Sequence, residues 1–313
     1  MTQQLKVNRL VDFTGARQIG VGTIGDYPGQ TILYVDDDFG SDTYAGTHPD
    51  YPKATITSAI DAARDASTGA GDWIFVLSYA DYTPPTAEDF PISVDKQRLT
   101  ISGLPQSGGI MHNGTAVTSD EQNYAAFQID EHWVTIQHLM LDVDDAGSTG
   151  GTVEAGSSVF GFTLRGCWLN PIYTATYGFY TGAANDVPNL LIEDCVFGTY
   201  NAATATNHIR LFNATRGLIR NNLFLGSSSY CIYALATCGN CSILNNRFKL
   251  YADTDGFAIY CADGSSNIYI DGNNAAHGMS TITNDPFWDA NNDDSNDWGL
   301  NYENQAATSG IAA

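Results

Sequence analysis

Six stretches of this chain align with one another without a gap, and that repeat constrains the fold more than any other feature. They are Val134-Thr-Ile-Gln-His-Leu-Met-Leu141, Phe162-Thr-Leu-Arg-Gly-Cys-Trp-Leu169, Leu190-Leu-Ile-Glu-Asp-Cys-Val-Phe197, Gly217-Leu-Ile-Arg-Asn-Asn-Leu-Phe224, Cys241-Ser-Ile-Leu-Asn-Asn-Arg-Phe248 and Ile268-Tyr-Ile-Asp-Gly-Asn-Asn-Ala275. Their starts lie 28, 28, 27, 24 and 27 residues apart. Self-similarity at such a period is the mark of a solenoid, in which each unit buries its apolar face only against its neighbours.

The columns of the alignment have distinct physical characters. Position 3 holds Ile136, Leu164, Ile192, Ile219, Ile243 and Ile270, and position 8 holds Leu141, Leu169, Phe197, Phe224, Phe248 and Ala275; both read as inward strand positions. Position 5 (His138, Gly166, Asp194, Asn221, Asn245, Gly272) collects residues that tolerate a left-handed backbone, which predicts a sharp bend between two short strands. Position 6 (Leu139, Cys167, Cys195, Asn222, Asn246, Asn273) predicts an internal ladder in which amide bonds amide. A further strand precedes most segments, at Phe127–Ile129, Phe179–Tyr180, Ile209–Leu211, Cys231–Tyr233 and Phe257–Ile259, and earlier coils are expected at Ile32–Val35, Trp73–Leu77 and Leu99–Ile101. Between the first two of these, residues 57–66 predict a short helix with Thr57 or Ser58 as its N-cap. The fold class is therefore all-β, a right-handed parallel β-helix with a short N-terminal capping helix. Its expected divisions are 1–30 as an arm, 31–278 as the solenoid and 279–313 as an acidic cap or tail.

Tyr34-Val-Asp-Asp-Asp-Phe-Gly-Ser-Asp42, Gly46-Thr47, Ala54-Thr-Ile-Thr-Ser-Ala-Ile-Asp-Ala-Ala63 and a strand ending near Tyr82 resemble the opening of pectin-lyase-like β-helices. The resemblance spans residues 30–278. It implies a small helix over the open end of the solenoid. It does not choose among activities, because that superfamily contains lyases, hydrolases, epimerases and inert tail or capsid proteins of phages.

Charge narrows the partners. Thirteen Lys and Arg face 35 Asp and Glu, a net charge of −22, which disfavours nucleic acid and anionic membranes as ligands. Residues 1–30 hold three basic residues (Lys6, Arg9, Arg17) against Asp12 and Asp26, and no Lys or Arg follows Lys249. A surface so poor in Lys and rich in Asp suits high salt, where self-repulsion is screened, so a halophilic source is one expectation and an ordinary acidic surface the other. No apolar run approaches the roughly 20 residues that cross a bilayer, and the first residues lack a secretory h-region.

Several constellations invite chemistry, and none assigns a catalytic residue. Position 4 points outward and carries Arg165, Glu193 and Arg220 on successive coils. These read either as a cross-strand charge ladder or as a carboxylate between two guanidinium groups that grips an acidic sugar. Asp142, Asp144 and Asp145, and Asp253 and Asp255, are candidate hydrolase carboxylates or ordinary loop residues. Asp289, Asn291, Asp293 and Ser295 have the alternating oxygen spacing of a calcium loop but lack its glycine (Asp294) and its glutamate (Leu300). Asp36, Asp37, Asp38 and Asp42 raise the same idea. Cys238-Gly-Asn-Cys241, with Cys231 and Cys261, reads first as buried thiols, then as a disulfide, then as a zinc site. The six histidines form no metal pattern.

Position 7 also points outward and exposes an apolar stripe, Met140, Trp168, Val196 and Leu223, which predicts an interface covered by loops or by another copy of the chain. Trp168, Tyr173, Tyr177 and Tyr180 are the expected sugar-stacking residues. Together these features favour a structural protein of a tailed-virus particle (head decoration, turret or tail spike of a bacteriophage or archaeal virus). Such a subunit is assembled in the host cytoplasm, displayed on the virion surface, joined to capsid or tail proteins through residues 1–30, and able to contact host-surface glycan. Trimeric self-assembly is what the resemblance to virion spikes implies. A polysaccharide depolymerase and a non-catalytic glycan-binding adhesin are the alternatives.

Overall fold

A computed structural model describes residues 30–77, 88–103, 115–119, 125–143, 151–170, 177–182, 186–198, 207–225, 229–235, 237–250, 256–277, 286–290 and 295–304. The chain winds through three parallel sheets of ten, eight and eight strands. Strands neighbouring in space are one coil apart in sequence, and every strand pair is parallel, so the described residues form a parallel β-helix. Among them no helix is long and apolar enough to cross a membrane.

The repeat columns become physical ladders. In the first sheet Ile101, Ile136, Leu164, Ile192, Ile219, Ile243 and Ile270 are successive partners, and all are buried. In the second, Leu141, Leu169, Phe197, Phe224, Phe248 and Ala275 follow one another. The Phe197, Phe224 and Phe248 rings stack with centroids 4.9 and 4.8 Å apart. Each such buried ring contributes on the order of 1.5–3 kcal/mol from area alone. No single coil buries enough apolar surface to offset the entropy of ordering its residues, so stacking makes the fold.

Between first and second sheets the chain turns at position 5. There His138, Asp194, Asn221 and Asn245 have φ of 55–56°, with Gly166 at 57° and Gly272 at 69°. Immediately after the bend the amide ladder closes. Asn222 Nδ2 donates to Asn246 Oδ1 (3.0 Å), Asn246 Nδ2 to Asn273 Oδ1 (3.0 Å) and Asn273 Nδ2 to Asn301 Oδ1 (2.9 Å). Each Oδ1 also accepts the backbone N–H one coil earlier, as Asn246 Oδ1 does from Asn222 N at 3.0 Å. Bonded on both sides, these amides can be buried without the penalty of unmet polar groups.

The structure differs from the sequence reading in three places. The helix runs Ile56–Ala62, and its N-cap is Thr55, whose hydroxyl accepts from Ser58 N. Thr57 instead bonds Glu88 through both its amide and its hydroxyl. Ile56, Ala59 and Ile60 are buried against the first strands, where the helix covers the solenoid end. The solenoid also continues beyond residue 278. Phe287–Asp289, Asp297–Trp298 and Tyr302–Asn304 join the third, first and second sheets, with Trp298 paired to Ile270 and Asn301 ending the amide ladder. Finally, Gly151–Ala155 forms a third-sheet strand between Phe127–Ile129 and Tyr177–Thr181. The expected arm falls almost wholly outside the described residues, as does the strand near Tyr82.

Candidate functional site

The third sheet carries the most distinctive surface of the molecule. Its strands Tyr177–Thr181, Asn207–Leu211, Tyr230–Ala234, Phe257–Cys261 and Phe287–Asp289 bury Phe179, Ile209, Ile232 and Ile259 on the inside. Alternation turns the residue after each of these outward, and behind two adjacent buried residues the first residue of most of these strands is half-exposed as well. One outward column reads Glu154, Tyr180, Arg210, Tyr233, Tyr260 and Trp288. The column beside it reads Tyr177, Asn207, Tyr230 and Phe257.

Parallel pairing fixes successive coils about 4.8 Å apart, which brings rings of neighbouring coils into contact, and rings three residues apart in one strand stack as well. Tyr177 and Tyr180 stack at 4.7 Å and 12°, and Tyr230 and Tyr233 at 4.7 Å and 21°. Tyr230 stacks on Phe257 at 5.5 Å, Tyr233 meets Tyr260 edge-on at 5.4 Å, and Phe257 meets Trp288 at 6.3 Å. Most of the rings are half-buried, and Trp288 is 47% exposed at the C-terminal end. The result is a strip of packed ring faces and edges that crosses several coils along the solenoid axis.

Arg210 sits within this strip. Its guanidinium carbon lies 4.5 Å from the Phe212 ring centroid, 5.1 Å from Tyr177, 5.8 Å from Tyr233 and 5.9 Å from Tyr180. Nη1 donates to the Tyr177 hydroxyl, and Nε is closed off from solvent without a hydrogen-bond partner. Burial pushes the Tyr180 hydroxyl above its ordinary range despite the opposing pull of Arg210, and burial does the same to Tyr260. Both phenols therefore stay neutral, able to donate and accept. Flat ring faces edged with hydroxyl groups suit the apolar faces and rim hydroxyls of sugar rings.

Of the expected binding residues, Tyr177 and Tyr180 belong to this strip. Trp168 stands on the second sheet with its indole N–H donated to Gly198 O at 2.9 Å, and Tyr173 lies outside the described residues. Tyr230, one of the tyrosines that the sequence offers for sugar stacking, also belongs to the strip, whereas Tyr233, Phe257, Tyr260 and Trp288 extend it beyond the expected residues. The sequence signal for it is a pair of rings three residues apart flanking two buried residues, Tyr230 and Tyr233 around Cys231 and Ile232 and Phe257 and Tyr260 around Ala258 and Ile259. The position-7 stripe is present on the second sheet, where Met140, Trp168 and Val196 are successive partners and Leu223 follows; all four are half-buried.

Arg165, Glu193 and Arg220 form a closed charge ladder on the first sheet. Arg165 Nε donates to Glu193 Oε1, while Arg220 reaches Oε2 through Nε at 2.8 Å and Nη2 at 2.6 Å. Burial pushes the Glu193 carboxyl up, but the hydrogen bonds from Arg220 and Arg165 outweigh it and hold it below its ordinary value. A carboxylate so held stays ionised and cannot serve as a general acid near neutrality.

Of the candidate hydrolase carboxylates, Asp142 is buried, and Asp144, Asp145, Asp253 and Asp255 lie outside the described residues. The same is true of Asn291 and Asp293 in the calcium-like run. Asp289 accepts from Asn296 Nδ2 at 3.1 Å and from Trp298 Nε1 at 3.0 Å, and Ser295 donates to Ser265 O at 3.1 Å. Asp36, Asp37 and Asp38 bring carboxylate oxygens within 4.8 Å of one another. Asp42 instead accepts from Ala54 N and Thr55 N, ahead of the helix. All six cysteines are buried, and none is joined in a disulfide. Cys167 and Cys195 donate to the carbonyls of Ile136 and Leu164 within the ladder, and burial pushes the Cys238 thiol up to about 12. Thiols so placed are packing groups, not thiolate ligands.

No family model matches the chain, and no curated protein matches it. Among solved structures, a GH136 lacto-N-biosidase from Eubacterium ramulus superposes with a TM-score of 0.41 at 10% identity, covering 88% of this chain and 68% of that one. The Dettilon tailspike protein superposes with a TM-score of 0.27 at 12% identity, covering 97% of this chain and 74% of that one.

Proposed function

We propose that this chain is a glycan-contacting structural β-solenoid, a surface subunit of a virus particle of the head-decoration, turret or tail-spike kind. The observation that carries the glycan contact is the aromatic strip from Tyr177 to Trp288, whose rings are held by the sheet register and not by mobile loops. A ligand meeting such a strip finds rings already ordered, so little conformational entropy is lost on binding. The virion role is supported by the half-buried apolar stripe on the second sheet, and the opening at residues 34–63 resembles a superfamily that includes tail and capsid proteins of phages. That stripe suits packing against other copies of the chain, a trimer being the expected number.

Two measurements test the two halves. Binding to an array of host-surface glycans is expected for the native chain. It should fall about tenfold for each of Tyr233→Ala, Tyr260→Ala and Trp288→Ala, since an aromatic stacking contact is worth about 1.5 kcal/mol at most. Silence across the array, or binding indifferent to all three changes, would remove the glycan reading. Release of reducing sugar during the same incubation would favour the depolymerase instead. For the virion half, a chain lacking residues 1–29 keeps Gln30 and Thr31, which bond Gly71 O and Asp72, so its solenoid is expected to fold. It should fail to enter particles; particles that incorporate it normally would argue against docking through the arm.

A further inference from the structure

We infer that the third-sheet strip takes an uncharged glycan laid along the solenoid axis and discriminates against carboxylated ones. This rests on the glycan-contacting reading and adds the class of sugar.

Charge on and around the strip decides the class. Arg210 is the one basic residue in its two outward columns, and its charge is already engaged by four rings and the Tyr177 hydroxyl, with Nε shut off from solvent. A carboxylate arriving from solution would have to displace those contacts to reach the guanidinium. The same face carries Glu154 beside Tyr180, with its carboxylate accepting from Gly151 N, and Asp130, which accepts from Ser93 and Gln128. Toward the C-terminal end, where Phe257, Tyr260 and Trp288 lie, the sequence has no Lys or Arg after position 249. The whole chain carries −22. An anionic polymer lying across these coils would thus approach a strongly acidic chain, with Glu154 at one end of the strip and, in its two outward columns, no basic residue but the already engaged Arg210. A neutral sugar chain meets only ring faces and hydroxyl groups.

Arg210 then acts as a positioning residue. By sitting among Tyr177, Tyr180, Phe212 and Tyr233 it holds rings contributed by three neighbouring coils in one surface, which a sugar chain spanning those coils requires.

The test uses the full chain and an array in which each neutral oligosaccharide is paired with its sialylated or uronic-acid-bearing counterpart, read at low and high salt. Neutral members are expected to bind about tenfold more tightly than their acidic partners at low salt, with the gap narrowing as salt screens the repulsion. Arg210→Gln should weaken binding of neutral glycans, and Arg210→Lys, which keeps a cation among the rings, should restore part of it. Tighter binding of the acidic members, with loss on Arg210→Gln confined to them, would overturn the inference while leaving the glycan reading intact. Binding to neither class would instead remove the glycan reading itself.

Discussion

Asn246 offers the sharpest test of the amide ladder. Its Oδ1 accepts from the backbone and side-chain nitrogens of Asn222, and its Nδ2 donates to Ile219 O (3.1 Å) and to Asn273 Oδ1. Asn246→Ala removes all four bonds. Asn222 Nδ2 keeps Ile192 O, Asn273 Oδ1 keeps the backbone N–H of residue 246, and Ile219 O lies in the ladder with the strand Ser242–Leu244, so the damage concentrates on Asn222 N–H. An orphaned buried polar group costs about 1–3 kcal/mol, so the change costs about 2 kcal/mol. Solenoids need not unfold in one step, so the readout should be local: native-state hydrogen exchange at Asn222, with Ile101 as a distant control. Exchange at Asn222 is expected to quicken about thirtyfold, since each 1.4 kcal/mol is a factor of ten. Asn246→Cys should cost less, because Cys195 in the same column already donates its thiol to Leu164 O at 3.6 Å. Asn246→Asp should cost most, because it keeps the acceptor but sets an unpaired carboxylate against Ile219 O and Asn273 Oδ1. Exchange at Asn222 within threefold of the native rate in the alanine variant, or a cysteine variant worse than alanine, would refute this account.

Two further outcomes follow from buried titratable groups. His208 is packed between Phe197 and Phe224, and burial pulls its imidazole down to about 4. Its depressed folded value means the unfolded chain binds the proton more tightly, so stability is lost as pH falls from about 6.5 toward 4, by about 3 kcal/mol in all. A thermal melt series should show this slope, and His208→Leu should flatten it; an unchanged slope would place the acid sensitivity elsewhere. Glu193, held low by its two arginines, contributes stability above the ordinary carboxylate range that is lost as pH falls below it. Glu193→Gln should cost about 1–3 kcal/mol in urea denaturation, and a neutral result would mean that the first-sheet charges do not support register.

What could be read from the sequence was whatever the coil period fixes. Positions 3 and 8 are apolar because they face one interior, position 5 is Gly, Asn, Asp or His because φ is positive there, and position 6 is amide or thiol because it must bond inside the core. Those four columns lie within one ungapped eight-residue segment spanning the first and second sheets. The third sheet was harder to read because loops of unequal length separate it from the segment, so its strands never align without gaps. Tyr177 and Tyr230 therefore fall outside the strands expected at Phe179–Tyr180 and Cys231–Tyr233. Gly151–Ala155 was passed over because glycine, threonine and alanine give little apolar signal, although its small residues fit the close approach of Tyr177 and Tyr180 on the neighbouring coil. The last coil escaped notice for a similar reason, since Trp298 replaces an aliphatic residue at position 3 and the surrounding run is strongly acidic. Thr57 and Ser58 are equally plausible caps by residue type, and only the bond from Ser58 N to the Thr55 hydroxyl identifies Thr55.

The strip owes its extent to counting. Each coil adds one row of outward side chains, pairs only with the coils before and after it, and carries its own bend and ladder residue. Inserting or deleting a whole coil would leave every remaining strand in register and lengthen or shorten the aromatic face by about 4.8 Å. Reach along a ligand is thus set by how many times one module is copied, a quantity that gene duplication can change in a single event without disturbing the interior.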